Sequence, residues 1–80
     1  MVKKEISELI DLRNYLNIEE EAESNYIMEL ENDLERVNSD TAKKYIKEVL
    51  IRENGRLYEV RKIKREVTQR INKLEMSKND

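Results

Sequence analysis

The chain contains no proline and a single glycine, Gly55, among its 80 residues. Tight turns, hairpin loops and phosphate-cradling loops draw on those two residue types for their backbone geometry. A chain nearly devoid of them has little room for loop. Charged residues make up 42% and hydrophobic residues 38%, with neither Trp nor Phe. That balance belongs to long helices with large solvent-facing surfaces. Eighty residues make one small domain. Cys and His are both absent, which excludes disulfides, thiol nucleophiles, histidine triads and zinc-finger patterns.

Apolar residues recur at helical spacing. Leu9, Leu12, Leu16, Glu19, Glu23, Tyr26, Leu30, Asp33 and Val37 follow alternating steps of three and four, which is a heptad seam. Ala22, Ile27 and Leu34 flank it, and Ile6 extends it toward the N-terminus. The pattern predicts one helix over 3–37. Asn38-Ser39-Asp40-Thr41 is a cluster of turn-type residues. Asn38 can take the left-handed conformation that ends a helix, and Ser39 or Asp40 can cap the next one. A second seam holds Ala42, Ile46, Val49, Glu53, Arg56, Val60, Ile63, Val67, Ile71 and Leu74, with Tyr45, Leu50 and Leu57 beside it. It predicts a helix over 41–75 and a frayed tail over 76–80.

The expected fold is all-α: a single domain over 1–80, built as an antiparallel hairpin of two long helices. Two helices cover one seam and leave much apolar surface wet, and chains of this size form marginal cores. Dimerisation into a four-helix bundle, or a higher oligomer, is the expected remedy.

The net charge of −2 hides an asymmetry. Residues 1–40 carry four basic and twelve acidic side chains, and residues 41–80 carry twelve basic and six acidic. In a hairpin with its turn near residue 39, Lys43, Lys44 and Lys47 sit level with Glu31, Asp33 and Glu35, so attraction is expected near the turn. Exposed pairs of this kind are worth about 0–1 kcal/mol and select the pairing more than they stabilise it. Toward the open end, Arg61, Lys62, Lys64, Arg65, Arg70 and Lys73 form a basic surface that suits either plain solvation or phosphate contacts to RNA or DNA. No apolar run approaches the roughly 18 residues of a membrane span, and the charged start MVKKEISELIDL does not read as a secretory signal. The expectation is a cytoplasmic protein.

Four charged residues interrupt the seams: Glu19, Glu23, Glu53 and Arg56. Buried carboxylates must be paired, metal-bound or protonated. One reading has Arg56 bridging Glu23 and Glu53 in a buried polar layer that sets register and partner orientation. Another gathers Glu19, Glu23 and Glu53 of two chains around a hard cation. In a third, these side chains lie at the seam edge and reach solvent.

The run Glu19-Glu20-Glu21-Ala22-Glu23-Ser24-Asn25-Tyr26, followed by Glu53-Asn54-Gly55-Arg56, resembles the ferritin-like superfamily, and short encapsulated helical hairpins within it are nearest in size. In that family a first-helix Glu, a Tyr two turns later and a second-helix Glu-x-x-His hold a di-iron centre. The resemblance covers residues 9–67 and implies Glu19 and Glu53 as metal ligands, iron or manganese as cofactor, and dimerisation to complete the site; the hairpin register adds Glu23, which it places nearest Glu53. Arg56 occupies the His position.

No nucleophile–base pair can be assembled, because Ser7, Ser24, Ser39 and Ser77 have no base at a telling spacing. The leading expectation is therefore a non-enzymatic assembly protein with itself as partner and no cofactor. Carboxylate metal binding and nucleic-acid regulation are the alternatives.

Overall fold

The computed structural model describes residues 2–78. They form α1 (Val2–Arg36) and α2 (Asp40–Lys78), which pack against each other as a hairpin 62 Å long and 14 × 13 Å across. Both helices start one residue earlier than the periodicity suggests. α2 runs three residues past the expected end, so Met76 and Ser77 are helical rather than frayed. Asn79 and Asp80 lie outside the described residues.

The turn is made by Val37, Asn38 and Ser39. The backbone N–H of Val37 donates to the Asp33 carbonyl at 3.0 Å, closing the last turn of α1. Ser39 is the N-cap of α2: its Oγ accepts from the Ala42 N–H at 3.3 Å and its carbonyl from Lys43 at 3.0 Å. Asp40 follows in the first turn, where a negative charge suits the helix dipole. The left-handed Asn38 cap does not occur, since no described residue has positive φ; the three-residue link reverses the chain without it. Ser39→Ala is expected to cost about 1 kcal/mol, and thermal melts followed by circular dichroism measure that loss.

The core is thin and uneven. Ile6, Leu16, Val67 and Ile71 form one buried cluster near the open end, with Leu9, Ile10, Val60 and Leu74 packed against it. Leu57, Val49 and Ile27 are the remaining buried apolar side chains among the described residues. Glu53 sits on the same stripe, one turn from Val49 and one from Leu57, and is buried with them.

The buried stripe is not quite the one the spacing suggests. In α1 it runs through Ile6, Arg13, Leu16, Glu20, Glu23, Ile27, Leu30 and Leu34, all at least half-buried. Leu12, Glu19, Tyr26 and Asp33, one residue away at each alternate step, are exposed. In α2 Leu57 is buried and Lys64 half-buried where Arg56 and Ile63 were expected. The rotation places Ile27, Leu34 and Leu57 in the interface in place of Tyr26, Asp33 and Arg56. Adjacent helix positions differ by about 100°, so the shift turns a whole flank of each helix outward. Arg13, Glu20 and Lys64 can occupy the new stripe because long side chains cover apolar surface with their stems.

Candidate functional site

Midway along the hairpin a pair of carboxyls meets between the helices. Glu53 of α2 has 2% of its surface exposed, and Glu23 of α1 is half-buried. Oε1 of Glu23 and Oε2 of Glu53 are buried, and neither has a donor when both groups are ionised. A proton on Glu23 supplies the pair with a donor and removes one of two neighbouring negative charges. The Glu23 carboxyl is accordingly pushed above the ordinary glutamate range, first by its hydrogen bond to Glu53, then by burial and by the Glu53 charge. Glu53 moves the opposite way, held down mainly by accepting that hydrogen bond and further by Arg52 and Arg56.

Cations approach Glu53 from its own helix. Arg52 Nε donates to Oε1 at 3.2 Å, and Arg56 Nη1 lies 3.7 Å from Oε2. Arg56 is not a buried bridge, as its side chain is 68% exposed. The polar layer is therefore a carboxyl–carboxyl contact backed by two arginines at its rim. Arg52 was not foreseen, because neighbouring residues on a helix do not share a face; here a long side chain folds back.

Beside the pair an open groove of about 520 Å³ runs between Glu19 and Glu23 of α1 and Gly55, Arg56, Glu59 and Ile63 of α2. Glu19 lies on its outer side, and its carboxylate raises the neighbouring Tyr15 phenol above its usual range. Within one chain Glu19 is exposed and stands apart from the Glu23–Glu53 contact. Among the described residues no three His, Cys, Asp or Glu side chains of one chain converge as metal ligands.

The cross-helix charges also fall elsewhere than expected. Glu20 accepts from Arg61 Nε at 3.0 Å and from Lys64 Nζ at 2.8 Å, and both bonds hold its carboxyl below the ordinary range. Arg70 Nη2 donates to Glu5 at 3.4 Å. Among the described residues no ion pair joins Lys43, Lys44 or Lys47 to Glu31, Asp33 or Glu35. Three members of the expected basic surface, Arg61, Lys64 and Arg70, are thereby committed to α1. Lys62, Arg65 and Lys73 stay exposed. The heptad seam through Glu19 leaves Glu20 off its line. The series Ile6, Ile27 and Leu34, seven or multiples of seven residues apart, runs through position 20 and carries the signal that finds it.

The four tyrosines are all exposed. No helix of the described residues is long and apolar enough to cross a membrane. Comparison with protein-family models, curated proteins and solved structures finds no match.

Proposed function

We propose that the chain is a non-enzymatic self-associating module in which two hairpins pack face to face into a four-helix bundle. The observation that carries this reading is an apolar flank left uncovered on both helices. Leu12 and Tyr26 are 41% and 43% exposed, each seven residues from Glu19 and so on its stripe. Ile63 is 42% exposed, seven residues from Arg56, and lines the same groove as Glu19. The two flanks therefore share one side of the hairpin. A helix stripe wider than one neighbour can cover reads as a surface for a second neighbour. A face 62 Å long and 14 Å wide is of the order of the roughly 800 Å² per partner that a stable interface buries.

Sedimentation equilibrium on the full chain tests the reading. The expected mass is twice the 9.7 kDa of one chain. Ile63→Glu is expected to return a monomer that keeps its helicity, since residue 63 contributes little to the hairpin's own core. A wild-type chain that stays monomeric at high micromolar concentration and still melts cooperatively defeats the proposal.

A further inference from the structure

Gly55 lies inside the 39-residue helix α2, where glycine weakens a helix relative to alanine. Nothing in the hairpin requires it. Its φ is not positive, and a Cβ built there meets no atom within 4 Å. A side chain is thus tolerated by the isolated fold, and the missing one leaves α2 open to close approach from outside.

The charge around this opening is unbalanced. The groove beside Gly55 presents Glu19, Glu23 and Glu59 against one guanidinium, Arg56. That guanidinium is mostly solvent-exposed, and its ion-pair partner among the described residues is Glu53, at the long distance of 3.7 Å. An anionic partner such as a nucleic acid is repelled here. A suitable occupant brings a cation on a helix that can come close to Gly55. The Arg56 segment of a second copy has both properties. In a twofold interface a residue near the axis meets itself, and its neighbours reach the opposite chain.

The geometry points to a twofold dimer centred near Gly55, in which α2 of one copy crosses α2 of the other and each Arg56 enters the second copy's Glu19–Glu23–Glu59 groove. This inference rests on the self-association proposed above and adds the docking point and the residue exchanged. It also accounts for Arg56 staying largely exposed with only a long contact to its own Glu53: the second copy supplies further carboxylates.

Three variants of the full chain test it by sedimentation and circular dichroism. Gly55→Leu is expected to stay helical, to melt no lower than wild type at dilutions where both are monomeric, and to lose at least about tenfold in dimer affinity. Arg56→Glu is expected to lose a comparable factor, because it turns the inserted cation into a repelled anion. Gly55→Cys, in a chain with no other cysteine, is expected to form a disulfide-linked dimer on mild oxidation. If Gly55→Leu and Arg56→Glu dimerise as tightly as wild type, the docking point is wrong and self-association proceeds through another face. If wild type itself is monomeric, the underlying reading fails with it. Should Gly55→Leu lose its helicity, Arg56→Glu and the cysteine cross-link decide the question.

Discussion

Glu23→Gln is expected to make the protein more stable at neutral pH and to remove the loss of stability expected of wild type as pH rises above the ordinary glutamate value. In the folded chain the Glu23 carboxyl is raised above its ordinary value of 4.5 by Glu53 and by burial. A raised carboxyl contributes stability that is fully present below 4.5 and is lost as pH climbs through the raised value. Beyond it, two carboxylates face each other with orphaned buried oxygens. Glu53 and Glu20 are held down, so their contributions are present above 4.5 and lost as pH falls below it. The stability maximum is therefore expected near the ordinary glutamate value, with a decline on each side. The groups that set the Glu23 side are Glu53 and Arg56 from α2 and Glu19 from α1. A glutamine at 23 donates to Glu53 at every pH, which flattens the alkaline decline and raises the neutral-pH Tm by something on the order of 5 °C. The acid-side decline remains. Thermal melts of both proteins across the acid-to-neutral range measure this. A wild-type Tm that rises steadily toward neutrality, or a Gln variant with the same slope, contradicts the shared proton.

Ile71→Ala is expected to produce the largest loss of stability from a single truncation. Ile71 has 2% of its surface exposed and belongs to the cluster with Ile6, Leu16 and Val67. Removing a buried aliphatic side chain costs about 2–5 kcal/mol, including the cavity left behind. In a domain of this size each kcal/mol moves Tm by about 4–8 °C, so a fall of about 10 °C or more is expected. The matched control is Ile51→Ala, at a residue 76% exposed, whose effect on the hairpin is expected within about 0.5 kcal/mol. Both melts belong at one protein concentration, because association makes Tm concentration-dependent. Similar effects for the two substitutions contradict the cluster at the open end.

Much of the architecture was legible in the residues, and the misses share one cause. The scarcity of Pro and Gly, the three-and-four spacing and Asn38-Ser39-Asp40-Thr41 lead to two helices and one reversal. The helix ends lie within one to three residues of expectation. The side of the apolar stripe that is buried is only partly legible. At several steps two adjacent positions, such as Leu9 and Ile10 or Tyr26 and Ile27, both fit a seam and local spacing does not rank them; the longer series Ile6, Ile27 and Leu34 does. Drawing the seam through the outer member placed Glu19 in the core and overlooked Glu20. It also buried Arg56 and left Leu57 at the edge.

The sequence by itself determined that this protein is a helical hairpin with an acidic first helix, a basic second helix and carboxylates interrupting the apolar stripe. These are local properties, set by backbone preference and by residue type at fixed spacing. The hairpin register already brought Glu23 level with Glu53; only the tertiary structure decided that the two carboxyls contact without Arg56 between them, that Glu20 gathers Arg61 and Lys64, and that Arg56 remains outside. Those outcomes depend on how far each helix is rotated about its axis. A turn of less than one residue's 100° exchanges buried for exposed along the whole length, and the choice is made by aliphatic packing of Ile27, Leu34 and Leu57 between the helices.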